Sequence, residues 1–387
     1  VDEALRDVVG QDLRLCYPSG GSYRSPYIFT DLDGDEEAEA VVFYTVENEP
    51  LVYLQILDHT EGRWRAHNAL PGTEGEVLFV DFRHLSGDDA TDLLVGWREP
   101  DRDFDTLYLY RYREGSLTEE FHVTCDGVAI GDFTGDGAEE LICATLDGGV
   151  TLQLIGWGGT GISVLDSAYS SLRLQTITGS VTGRIEEALP GAAFSGRINA
   201  EMTASLLVGV QSGRLVLPQE DTFTGYSETY CYSGASPADI NNDGIVEVPW
   251  SNAVPGISAG SREDTRYFTE YRALQNGSYT TIAACYQNTA DGWRLILPEG
   301  LYELYWQNGL TLTRQAETRE VVFRQYTGRL NENGREYLRL RVTAGNETAP
   351  EGYTLLNSRG QFSYYASIPL GSPLSMAEVE QNFSLLG

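Results

Sequence analysis

The sequence predicts a mainly β chain: a β-propeller of about 50-residue, four-stranded blades, with five recognisable units and a small α+β C-terminal domain. Three observations carry this. An acidic, Gly-containing turn between two apolar strands recurs at a steady spacing. Alternating strands that end in Gly hairpins keep the same beat. The composition is rich in Tyr (23) and nearly devoid of Met (2) over 387 residues, and Tyr favours half-buried pleated surfaces.

The acidic turns lie in Phe29–Tyr44, Phe79–Trp97, Ile130–Ala144 and Pro237–Trp250, with leading aspartates Asp31, Asp81, Asp132 and Asp239. Successive steps are 50, 51 and 107 residues. The last step is about double, so a degenerate unit belongs between, and Ala192–Val210 fits it with its acids eroded. The hairpin glycines Gly62, Gly115, Gly161 and Gly277 trail the leading aspartates by 31, 34, 29 and 38 residues. Period-two alternation around them is a strand signature. Each repeat thus holds about four short strands, the size of one blade. Stacked blades bury faces that a lone sheet would leave wet.

The beat stops near Asp291. The division read from this is a propeller over 1–287 and an α+β domain over 288–387; the alternative is that the later strands supply further blades or complete the ring. Met376–Leu386 reads as a short helix, with Ser375 as N-cap and Glu378 closing a capping box.

The turns have the chemistry of a cation cage. Calcium takes six to eight oxygens, and carboxylates at alternate positions of a tight turn converge on one point. The first turn offers Asp31, Asp33, Asp35 and Glu39; the third Asp132, Thr134, Asp136 and Glu140; the last Asp239, Asn241, Asp243 and Glu247. The carbonyls of Glu37, Ala138 and Ile245 would complete the cages. An EF-hand is excluded: it needs an acid at position 12 and a following helix, and position 12 here is Val42, Cys143 or Trp250 in strand-like sequence. Asp, Asn and Gly also build turns without metal. On ligand charge the first and last turns read as calcium sites, and the third is balanced between ion and plain turn. The second reads as a plain turn, with Arg83 and His84 as an insertion and Asp81, Asp88 and Asp92 in altered spacing.

Acidic loops placed between strands resemble the FG-GAP (VCBS-type) repeats of integrin α-chain propellers and similar repeats of bacterial surface proteins, over roughly residues 25–285. The resemblance implies calcium in strand-connecting loops. The whole chain is also similar to propeller lipoproteins of Gram-positive bacteria, which implies a lipidated Cys upstream of Val1.

Net charge is −31, which repels nucleic acid and anionic membranes and attracts divalent cations. The five Cys show no zinc spacing and read as small buried hydrophobes. HExxH does not occur, and Gly156–Ser163 lacks the Lys of a phosphate loop. The expected function is non-catalytic: a calcium-binding propeller outside the cytoplasm, secreted or lipid-anchored. It would bind a glycan, peptide or protein, or act as a scaffold. Two alternatives stand beside it. One is a glycoside hydrolase or polysaccharide lyase using paired funnel carboxylates; the other is a structural module of an envelope assembly. The opening Val, in place of Met, is read as the mark of a removed leader.

Overall fold

The computed structural model describes residues 1–10, 12–60, 62–85, 91–98, 105–220, 225–232, 234–257, 267–329, 334–345 and 347–386. Antiparallel sheets follow one another along the chain. The first gathers Leu13–Cys16, Tyr27–Thr30, Glu39–Val46, Val52–Thr60, Arg63–Ala66 and Leu70–Pro71. The second is a four-stranded meander of Glu76–Arg83, Asp92–Arg98, Asp105–Arg113 and Ser116–Cys125. The third repeats it with Gly127–Gly131, Glu140–Leu146, Val150–Trp157 and Ile162–Ser170. The fourth, Thr176–Glu186, Leu189–Arg197, Thr203–Gln211 and Arg214–Val216, is the unit whose acids are eroded. Its turn is held instead by Asn199, whose side-chain oxygen accepts from the N–H groups of Glu201 and Met202, both at 2.9 Å. This is the mainly β, blade-by-blade architecture that the repeat predicts.

Strand alternation explains why consecutive sheets stack. Along Asp92–Arg98, Leu93, Val95 and Trp97 enter one core with Val41, Phe43, Leu54 and Ile56 of the first sheet. Leu94, on the opposite face, joins Leu141, Cys143 and Ile155 of the third. The second sheet is therefore buried on both faces, as a blade between blades must be. The hairpins are set by local backbone geometry. Glu114–Gly115, Ser212–Gly213 and Asn276–Gly277 all have positive φ at both positions (48° and 74°, 51° and 72°, 51° and 73°), the signature of a type I′ turn that matches strand twist.

The fifth sheet joins Val248–Ala253, Tyr267–Gln275, Ser278–Asn288 and Trp293–Ile296 with Phe383–Leu385 from near the chain end. The sixth joins Leu310–Gln315, Glu320–Gln325, Glu336–Ala344, Phe362–Ser367 and Thr354–Arg359. Helices Glu299–Trp306 and Met376–Asn382 flank the sixth sheet along the chain. The second begins at Ser375, with both halves of the capping box formed. Leu301 and Tyr305 of the first helix, Val379 of the second, Phe268 and Tyr286 of the fifth sheet and Phe323 and Leu340 of the sixth form one core.

The chain forms two compact units: Val1–Arg184 with Ala188–Phe194 and Leu207–Pro218, and Ile185–Glu187 with Ser195–Leu206 and Gln219–Gly387. A boundary at 287/288 therefore differs from the structure. Ser278–Asn288 runs through it, and the stretch at that boundary is a hairpin inside the fifth sheet. The side chain of Asn288, fully buried, donates to Asp291 at 2.9 Å and accepts from its N–H at 3.1 Å. The polar residues here tie a buried turn.

Candidate metal centres in the acidic turns

One hydrogen bond defines the register of every acidic turn. The N–H of the second residue donates to the carboxylate that opens or immediately precedes the next strand, seven residues on. The pairs are Leu32 to Glu39 at 2.7 Å, Leu85 to Asp92 at 2.9 Å, Phe133 to Glu140 at 2.8 Å and Ile240 to Glu247 at 2.8 Å. All four carboxylates are buried, with Glu39, Asp92 and Glu247 at 0% exposure and Glu140 at 3%. An uncompensated buried carboxylate costs several kcal/mol. What balances each one is therefore the informative question, and the four turns answer it differently.

In the first turn, the leading Asp31 accepts from the N–H groups of Gly34 (2.7 Å) and Glu36 (3.0 Å), and Asp35 accepts from Glu37 N–H at 2.8 Å. Carboxylate oxygens of Asp31, Asp33 and Glu39 lie within 4.8 Å of one another. Glu39 Oε1 is buried and has no hydrogen-bond partner. Burial, then the charges of Asp33, Asp35 and Asp31, push the Glu39 carboxyl up to about 7. Asp33 is raised too, by desolvation and by Asp35, Asp31 and Asp58. The Glu37 side chain turns away to His59, at 3.3 Å, and His59 lies within Val52–Thr60. A buried carboxylate with an unpaired oxygen, gathered with two more carboxylates, suits a divalent cation, whose hard charge takes oxygen ligands.

In the third turn, Asp132, Asp136 and Glu140 gather within the same 4.8 Å. Asp132 accepts from Gly135 (2.7 Å) and Gly137 (3.1 Å), and Asp136 from Ala138 (2.9 Å). Here the spare oxygen is already served, since Thr134 Oγ1 donates to Glu140 Oε1 at 2.9 Å. Glu140 remains raised by burial. The last turn returns to the first pattern at its buried end. Glu247 Oε1 is without a partner, and burial and the charges of Asp243 and Asp239 push this carboxyl up to about 7. Its outer ligands are less gathered: Asp239 accepts from Asp243 and Gly244, Ile245 N–H donates to Asp243, and the Asn241 amide donates to Asp243 at 2.8 Å.

The second turn corrects the sequence reading. The bond from Leu85 to Asp92 places His84, not Asp81, at the leading position, so Arg83 and His84 are no insertion. Asp81 lies within Glu76–Arg83 and pairs with Arg83 at 2.5 Å. Asp88 falls outside the described residues. Asp92 meets Arg111, its cross-strand neighbour, whose Nε and Nη2 donate to Oδ1 at 2.9 and 2.5 Å. Both side chains are buried, at 5% and 0% exposure. A guanidinium from the same chain balances this acid. Spacing along the turn could not reveal it, because Arg111 comes from across the sheet; the signal was an arginine inside the alternating strand LYLYRYR.

Consecutive turns are also tied together. Thr91 N–H donates to Leu32 C=O at 3.3 Å, Glu139 N–H donates to His84 C=O at 3.0 Å, and Arg83 bonds Glu139 Oε1 at 3.3 Å. All five cysteines are free thiols, four of them buried.

No family model matches the chain, and no curated protein matches it. Among solved structures it is similar to Sqt1 of Saccharomyces cerevisiae, at 12% identity and a TM-score of 0.34 over 86% of this chain and 85% of that one. It is also similar to a rhamnogalacturonan lyase (12%, 0.32, over 69% and 67%) and to an exo-β-1,3-galactanase of Phanerochaete chrysosporium (8%, 0.31, over 89% and 82%). Likenesses at this level assign neither family nor activity.

Proposed function

We propose that this chain is a non-catalytic, calcium-binding β-propeller of the FG-GAP kind, working outside the cytoplasm as a ligand-binding or scaffold protein. The observation that carries the reading is Glu39, whose Oε1 is buried without a partner and whose carboxylate gathers with those of Asp31 and Asp33. Calcium there would supply the charge that Arg111 supplies to Asp92. Glu247 offers the same buried oxygen in the last turn. Extracellular calcium modules bind at about 0.1–1 mM, which suits turns of this kind to a calcium-rich exterior.

The test is thermal unfolding in millimolar calcium against chelator. An ion that binds only the folded state stabilises it by about 1.4 kcal/mol at tenfold saturation, so Tm should rise. Asp33→Asn should remove part of the gain, and Asp81→Asn should leave it intact. An unchanged Tm would sink the reading for all the turns together.

A further inference from the structure

We propose that the first turn is a ligand-receiving site as well as a structural one, and that it takes a neutral saccharide through vicinal hydroxyls on the calcium ion. This rests on the calcium reading above. Three protein carboxylates, those of Asp31, Asp33 and Glu39, meet within 4.8 Å; with Asp35 and the Glu37 carbonyl added the turn offers about five groups, while calcium takes six to eight oxygens. Residues Asp33 to Ala38 are exposed, so positions on the ion's outer side are open to water or to a ligand's oxygens. Glu39 holds the ion from the buried side, and the solvent side is left for exchange.

An aromatic surface adjoins this turn. Phe29, two residues before Asp31, is 53% exposed. Its ring centroid lies 5.8 Å from that of half-buried Trp64, tilted at 57°. Trp64 in turn lies 4.7 Å from the ring of His59, whose Nδ1 is 3.3 Å from Glu37 of the same turn. Side-chain contacts thus run from the turn to the rings: Glu37, His59, Trp64, Phe29. A sugar presents both chemistries needed, hydroxyl oxygens for the ion and a C–H face for the rings. The net charge of −31, with Asp35, Glu36 and Glu37 crowding this turn, disfavours a uronate and selects a neutral ring.

The experiment is isothermal titration of the full chain with methyl glycosides covering cis and trans vicinal diols, and with a uronate, in calcium and in chelator. A neutral glycoside should bind in calcium only. Phe29→Ala and Trp64→Ala should each weaken it by about tenfold while leaving the calcium-dependent rise in Tm unchanged. Phe29 is exposed, so its variant stays informative even if the Trp64 variant fails to fold. Asp33→Asn should lose both responses. A normal calcium rise with no glycoside bound, binding that survives chelator, preference for the uronate, or indifference to Phe29 would each overturn this proposal and leave the calcium reading standing. Loss of the calcium response in the unaltered chain would overturn both.

Discussion

Glu39 and Asp92 hold the same place in successive turns, yet among the described residues one has no counter-charge and the other has Arg111. The contrast gives two predictions. Arg111→Ala strands a buried carboxylate and should cost about 3–5 kcal/mol in urea unfolding. Replacing the pair together, as Asp92→Leu with Arg111→Met, should recover much of that loss; a double variant as weak as the single one would count against the pairing. For Glu39 the sign runs the other way. Its carboxyl rises from 4.5 unfolded to about 7 folded, so its contribution in chelator is complete below pH 4.5 and is lost as pH climbs through 7. Calcium needs the ionised form, so the calcium-dependent gain in Tm should be large at pH 8 and shrink by pH 6. Glu39→Gln keeps an acceptor for Leu32 N–H and loses the charge. It should melt higher than the unaltered chain in chelator at pH 8 and gain less from calcium. A full gain in this variant would show that the ion does not use Glu39.

At the scale of elements, the helix Glu299–Trp306 is fastened through Glu270 of the fifth sheet. Glu270 is 4% exposed and accepts from Tyr305 Oη, from Arg272 Nε at 2.8 Å and from Thr281 Oγ1 at 2.7 Å. Arg272 lies 3.7 Å over the Trp250 ring. Glu270→Ala removes the carboxylate that holds Arg272 Nε and Nη2, leaves Arg272 with Glu228 alone, and should destabilise by about 3 kcal/mol, whereas Tyr305→Phe should cost about 1–3 kcal/mol. Equal effects would mean that the helix is held by packing alone. This helix was not read from the sequence. Its eight residues include Gly300, two tyrosines and Trp306, poor propensity for a helix, and only Pro298 at the cap marks the start. The capping box at Ser375 was legible because its two partners, Ser375 and Glu378, sit three residues apart. Arg111 was not, because its partner stands nineteen residues away across a strand pair.

For the whole molecule, the beat of turns and hairpins was enough to read the second, third and fourth sheets, since each is a local meander whose signals lie within one repeat. The end of the repeat was less legible. Phe383–Leu385 pairs with Trp293–Ile296, a contact between residues about ninety positions apart. A chain cut after Gln287 would lose the fifth sheet's last strands and the core shared by Phe268, Tyr286, Phe323 and Leu340. Residues 1–287 alone should therefore show no cooperative unfolding transition at their C-terminal end, and should be trimmed by protease back into the fifth sheet. A fragment that resists protease up to residue 287 would restore the boundary that composition suggests.

The guanidinium of Arg111 is a cation that cannot be diluted. A bound ion leaves when its concentration falls, but a side chain on the neighbouring strand keeps a fixed local presence in any medium. The joint beside Asp92 therefore answers to inheritance and the joint beside Glu39 to surroundings. Under calcium withdrawal, amide deuterium uptake should quicken around Leu32 and Ile240 while Leu85 keeps its rate, so that one chain carries its own internal reference for how much the ion was holding.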